Sequence, residues 1–352
     1  MLPGGDKMNK KSFQDMPVNV VILTEGGRNS GYGHIGRCLS IKQAFEEKNV
    51  FPDLLVCGDR TLEDIAEKEN FIISDWLHSP DKIFKRSESS DIVIVDSYLA
   101  APRIYSGISK RARCPVYLDD CLRINYPRGV VVNGAIFAET LPYPSVKAGK
   151  YLLGAKYFPL RSEFWTVPPK RLNRNVGNIL VTFGGTDSAG LTPRILEGLA
   201  KKYPGIKKTV VLGKWYTNTG EIKKHGDLNT EYVASPGAGA MLKVMCEADL
   251  AISAGGQTLY ELARTGLPTV AIADASNQVN NLKGWEKAGF ISFAGRCSDR
   301  GIIKSVLEQV EQLQSRAARV DKSCKGKEML DSRGAHRIVK KLLAGLNSKM
   351  TV

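Results

Sequence analysis

A histidine stands where a glycine-rich turn should open a helix. The stretch Gly31-Tyr32-Gly33-His34-Ile35-Gly36-Arg37-Cys38 follows an apolar run at 18–23 that reads as a strand, and Ile35, Leu39, Ile41 and Phe45 then recur at roughly helical spacing. Backbone N–H groups at such a turn attract an anion. A helix N-terminus also favours a neutral imidazole, the form a general base requires. His34 is therefore the candidate base, with Gly31, Gly33 and Arg37 as candidate ligand contacts.

A second block, Ser253-Ala254-Gly255-Gly256-Gln257-Thr258-Leu259-Tyr260-Glu261, ends a strand in small residues and starts a helix. The Gly255-Gly256 backbone can approach a diphosphate closely, and the helix N-terminus that follows at Gln257-Thr258 stabilises its charge. Glu261, one turn on, can accept hydrogen bonds from ribose hydroxyls. Gly184, Gly185 and Thr186 form a companion phosphate loop with Asp187, and Asp274-Ala275-Ser276-Asn277-Gln278 follows the next strand. Asp96-Ser97-Tyr98 and Asp119-Asp120 also sit just past apolar runs, where a residue faces a cleft or caps a turn. No Asp-x-Asp occurs, which argues against a metal-dependent transferase built on one α/β domain.

Gly31-x-Gly33-x-x-Gly36 also fits the dinucleotide fingerprint, with Asp59 where a ribose-binding acid would stand. In a dinucleotide site, however, the first glycine follows the strand directly. Here Glu25-Gly26-Gly27-Arg28-Asn29-Ser30 intervenes, and His34 adds bulk where pyrophosphate must approach. A dinucleotide-dependent oxidoreductase is the weaker alternative.

These motifs need a scaffold of strands whose carboxyl ends meet. Strand-like runs at 18–23, 53–56, 92–95, 116–118 and 130–132 alternate with helical segments such as 34–48 and 62–69. Residues 164–171 carry paired prolines and read as a linker. Strands at 178–183, 208–212, 250–253 and 268–273 then alternate with helices at 192–203, 241–246, 257–264 and 278–288, and 301–346 is mainly helical. The expectation is an α/β chain of two doubly wound Rossmann-like domains, 18–165 and 175–348, facing a cleft. Ligands in such sheets bind at the carboxyl ends of the strands. Residues 1–17 read as a disordered leader, with Met8 as an alternative start.

With 43% hydrophobic and 24% charged residues, the composition is that of an ordinary soluble chain. No apolar run approaches the roughly 18–20 residues that span a bilayer. Lys7, Lys10 and Lys11 lead into no apolar core, so no signal peptide is expected. Seven scattered cysteines without a Cys-x-x-Cys point to reduced thiols in a cytoplasm, against a disulfide or zinc framework. The net charge of +14 suits anionic partners, either nucleotides or an acidic membrane face touched peripherally. Its lysines are dispersed in pairs with no nucleic-acid-binding pattern, so nucleic acid is not expected.

Taken together, the blocks resemble a family of GT-B-fold nucleotide-sugar enzymes. They are most similar to the UDP-2,4-diacetamido-2,4,6-trideoxy-β-L-altropyranose hydrolases of pseudaminic acid synthesis and the related spore-coat polysaccharide proteins. The resemblance rests on Gly-x-Gly-His-x-x-Arg-Cys at 31–38 and the Ser253–Glu261 segment. Val95-Asp96-Ser97-Tyr98, Leu118-Asp119-Asp120, Tyr157-Phe158-Pro159-Leu160-Arg161-Ser162-Glu163-Phe164, Phe183–Asp187 and Asn277-Gln278 follow in the same order. It implies metal-independent hydrolysis of a UDP-amino sugar without a cofactor. His34, Tyr98 and Asn277 would be catalytic. Gly31, Gly33, Arg37, Asp96, Gly184, Gly185, Thr186, Gly255, Gly256, Gln257, Thr258, Glu261 and Gln278 would bind substrate. The family usually opens the segment before the glycine turn with Arg and Asp. This chain has Thr24-Glu25-Gly26-Gly27-Arg28 there, which bears on the choice of sugar. A transferase like the peptidoglycan GlcNAc transferase is the related alternative, and its lipid acceptor would suit the positive charge.

Overall fold

The computed structural model describes residues 18–28, 31–144, 151–217 and 219–347. The expected leader and Met8 lie outside the described residues. Two all-parallel sheets form the frame. The first runs through β1 (Val20–Glu25), β2 (Asp53–Cys57), β3 (Ile72–Ile73), β4 (Ile92–Asp96), β5 (Cys114–Leu118), β6 (Val130–Asn133) and β7 (Tyr151–Leu153), in the order β3-β2-β1-β4-β5-β6-β7. The second comprises β8 (Asn178–Thr182), β9 (Lys207–Leu212), β10 (Thr230–Ala234), β11 (Leu250–Ala254), β12 (Thr269–Ala273) and β13 (Ile291–Arg296), ordered β10-β9-β8-β11-β12-β13.

The central strands are nearly continuous apolar runs because helices cover both faces. The first unit carries α1 (Gly33–Glu46), α2 (Glu63–Glu69), α3 (Pro80–Glu88) and α4 (Pro102–Arg111). The second carries α5 (Leu191–Lys202), α6 (Thr219–Lys224), α7 (Ala238–Glu247), α8 (Thr258–Thr265), α9 (Val279–Lys287), α10 (Ile302–Gln312) and α11 (Arg316–Met329). Successive strand residues serve opposite cores. Val20, Ile22, Ile92 and Ile94 pack with α1, whereas Val21, Leu23, Val93 and Val95 pack with α3 and α4.

Each sheet reverses its strand order beside its first strand, between β1 and β4 and between β8 and β11. Register brings Thr24 opposite Asp96 and Glu25 opposite Cys57, so these carboxyl ends share one rim. Ser253 lies opposite Thr182, and Ala254 opposite Ile272, in the second sheet. Both expected glycine turns therefore leave their sheets at a switch point, where open parallel sheets take ligands.

The last helix, α12 (Gly334–Asn347), departs from the expected partition, which placed it with the second unit. Ala335, Ile338, Val339 and Leu342 instead join the core under α1. A tight crossing allows this: a Cβ on Gly334 would collide with the Phe158 carbonyl oxygen. Arg337 donates to the Lys156 carbonyl at 3.0 Å, and His336 meets Glu47 at 2.9 Å. Ile338 is fully buried. Ile338→Ala should destabilise the protein by about 2–4 kcal/mol, read as a lowered urea midpoint.

Candidate functional site

β1 ends in Thr24-Glu25, and the chain then closes a small bridge between Gly27 and Gly31 before entering α1. Gly31 has φ +72°, a conformation that favours glycine. The turn delivers His34 into the first turn of α1, buried but for 8% of its surface. Its Nδ1 lies 2.8 Å from Asp96 Oδ1 at the end of β4. Burial by itself raises the Asp96 carboxyl's pKa, but the charges of Arg37 and His34 outweigh it and hold the group well below the usual carboxylate range. Asp96 Oδ1 can accept a proton carried on Nδ1, and an Arg37 terminal nitrogen also lies 3.0 Å from Nδ1, so this is the engaged side of the ring.

Arg37 follows one turn later on the same helix face. Its Nε and one terminal nitrogen fork onto Asp96, and the other reaches Asp120 Oδ1 at 2.6 Å. Burial works against the Arg37 charge, and Asp120 and Asp96 more than restore it. Tyr98 stands edge-on to the His34 ring at 4.6 Å and 84°. Its hydroxyl donates to Asp120 Oδ2 at 2.5 Å. Burial, then the charge of Asp120, pushes the Tyr98 phenol far above its ordinary value, so it remains a donor. Asp119 turns away: it accepts from Leu122 N–H at 2.8 Å and from the Tyr126 and Tyr143 hydroxyls.

In the second unit, Gly255 leaves β11 under tight constraint. Its N–H donates to Gln278 Oε1 at 2.9 Å, and its carbonyl accepts from Asn281 at 2.8 Å. A Cβ there would lie 2.7 Å from Leu282 Cγ. Gly256 is open, with nothing within 4 Å of a Cβ built on it. Gly184 (φ +68°), Gly185 and Thr186 form an exposed loop after β8. Asp187 caps α5 through the N–H groups of Leu191 and Thr192, at 2.9 and 2.8 Å.

The two units touch where these loops meet. A Cβ on Gly33 would be 3.0 Å from Gln257 Nε2, so the N-termini of α1 and α8 approach each other. Arg161 binds Glu261 through two bonds of 2.6 and 2.8 Å and passes under Gly36 of α1. Tyr32 stacks on Trp215 at 4.8 Å, and Lys214 Nζ donates to the Tyr32 hydroxyl at 3.1 Å and the Thr61 carbonyl at 3.0 Å. Trp215 N–H is anchored in turn on the Gly185 carbonyl.

The structure thus brings His34, Arg37, Asp96 and Tyr98 into one cluster, joined by Asp120. Arg37 and Asp96, expected to contact ligand, are instead buried and spent on each other and on His34. Glu261 is likewise buried, with both oxygens engaged by Arg161, and Gln278 holds the Gly255 loop. Asn277 is exposed in a short turn after β12, and no hydrogen bond joins it to the His34 cluster. Asp59, exposed, caps a turn at Thr61 and accepts the Arg28 N–H. Arg161 and Trp215 went unread as site residues; Arg161 lies in a quoted motif, whereas no sequence signal marks Trp215.

Residues 178–336 match the glycosyltransferase family 28 C-terminal domain. An uncharacterised protein of Methanocaldococcus jannaschii is 26% identical over 280 residues, covering 72% of this chain and 55% of that protein. The Helicobacter pylori pseudaminic acid cytidylyltransferase and UDP-2,4-diacetamido-2,4,6-trideoxy-β-L-altropyranose hydrolase is 24% identical over 305 residues, covering 85% of this chain and 51% of that one. The chain therefore spans about half the length of these two relatives. The spore coat polysaccharide biosynthesis protein SpsG of Bacillus subtilis is 22% identical, covering 77% of this chain and 82% of that one. Among solved structures, Acinetobacter baumannii MurG superposes with a TM-score of 0.69 at 14% identity, covering 93% of this chain and all of that one. The fold is GT-B-like, as expected. Among the described residues, no helix is long and apolar enough to cross a membrane.

Asp96→Asn should cost about 3–5 kcal/mol, because it strips a partner from a buried guanidinium. The native carboxyl's pKa lies below its unfolded value near 4. Its contribution is therefore complete above about pH 4 and is lost as pH falls toward the folded value. Urea midpoints of the two proteins should converge in acid; a constant gap would contradict the assignment.

Proposed function

We propose that this protein hydrolyses a UDP-linked diacetamido-trideoxy sugar, releasing UDP and the free amino sugar for pseudaminic-type or surface polysaccharide synthesis. The observation that carries the reading is His34: Nδ1 is engaged by Asp96 and Arg37, Nε2 has no hydrogen-bond partner among the described residues, and the residue lies where two helix N-termini converge. The similarity to the H. pylori protein supplies the substrate class.

His34 Nε2 takes a proton from water as the water oxygen bonds to the anomeric carbon. The bond from that carbon to the diphosphate oxygen breaks with inversion, and its electron pair leaves with UDP. The leaving diphosphate needs charge stabilisation more than a proton, and the Gly256 N–H with those at the start of α8 would provide it, while the Gly255 N–H, held by Gln278, shapes the loop. Gln257 and Thr258 extend that cradle, with Gly184, Gly185 and Thr186 beside it. Tyr98 and Asn277 would orient the water or sugar, Asn277 after closure of the cleft. The acids nearest His34, Asp96 and Asp120, are both engaged by Arg37, which supports a route independent of metal. The transferase reading is favoured by the family 28 match, and an acceptor decides between the two.

Incubation with the UDP-diacetamido sugar should release UDP without an acceptor and equally in EDTA. Release only after a lipid or sugar acceptor is added would replace the hydrolase with a transferase. His34→Asn should lower turnover by roughly 10²–10⁴ while UDP affinity measured by calorimetry stays nearly intact. Unchanged turnover would sink the role given to His34.

A further inference from the structure

Glu25 ends β1 with its side chain buried, and among the described residues no cation pairs with it. A carboxylate in such a place must be satisfied by hydrogen bonds. Its donors all come from one short segment beyond β4. Oε1 accepts the Tyr98 N–H at 2.8 Å, and Oε2 accepts the Leu99 N–H at 3.2 Å and the Ser97 hydroxyl. Ser97 Oγ in turn accepts the Ala100 N–H at 2.8 Å, and the Ser97 carbonyl accepts from Tyr105 and Arg123. The N–H groups of Tyr98, Leu99 and Ala100 and the carbonyl of Ser97 are thereby all engaged.

That anchoring matters because Tyr98 is otherwise held only in part by its surroundings. It is 41% exposed, yet its ring edge meets His34 and its hydroxyl reaches Asp120. We propose that Glu25 is a positioning residue, holding Tyr98 against the His34 ring through the backbone of residues 97–99. Its charge matters as well as its reach. Both oxygens accept from N–H groups, so a glutamine would turn its NH2 toward one of those donors whichever way it flips. Charge-assisted bonds are also roughly twice as strong as neutral ones.

The kinetic consequence rests on the hydrolase reading, but the positioning itself can be read without activity. In protein carrying 3-fluorotyrosine, the ¹⁹F resonance of Tyr98 is identified by its loss in Tyr98→Phe. In Glu25→Gln that resonance should move toward the position of a solvent-exposed tyrosine. With substrate, kcat should fall roughly 10–100-fold, the scale of a catalytic group displaced by about 1 Å, with KM changed less than about 2-fold. Glu25→Asp, which keeps the charge, should recover part of both. An unmoved Tyr98 resonance in folded Glu25→Gln overturns the proposal, whatever the activity. A moved resonance in a protein that turns over no UDP-sugar upholds the positioning role and refutes the hydrolase. If Glu25→Gln does not fold, Ser97→Ala should displace the same resonance less far in the same direction, and an unmoved resonance there overturns the proposal.

Discussion

One buried carboxylate organises the first half of the site. Asp96 is wholly removed from solvent, and a charge in that position is tolerable only if it is paired and hydrogen-bonded. Both partners come from α1, three residues apart and so on the same helix face. This requirement sets the rotation of α1 about its axis and the seating of the His34 ring together. It also explains the strand order at this point. β4 must neighbour β1 for Asp96 to meet the helix that β1 launches. Asp120 extends the arrangement from β5, spreading positive and negative charge over three successive connections.

Opposite lies a loop governed by steric rather than ionic constraint. Gly255 is confined by Leu282 and Gln278, whereas Gly256 faces open space. The first glycine serves packing and the second leaves room for a ligand. Between the two halves, the Arg161 fork onto Glu261 and the Tyr32–Trp215 stack sit on either side of the His34 turn. The His34 cluster and the Gly255 loop are brought face to face by these contacts between units.

Much of the fold was legible because parallel strands buried on both faces are continuous apolar runs. The strands at 92–95 and 250–253 were read within one residue of β4 and β11. The edges were not. Ile72–Ile73 is too short to show a period, and Thr230–Ala234 is too mixed. Of the site, His34 and the Gly255 turn were visible from residue type at a strand-to-helix junction. Tertiary pairing was not. Arg37, Asp96 and Glu261 were read as ligand contacts because charged residues beside a cleft suggest that role. Their partners lie 59 to 100 residues away, which no local pattern reveals. The apolar face of α12 announced a helix but not which core would receive it.

The chain passes between its two units twice, once through the segment after Arg161 and again where Ser332 holds the Trp165 carbonyl before α12. Two neighbouring crossings act as a strap hinge. They resist sliding and separation of the halves, and leave rotation about the line joining them as the soft motion.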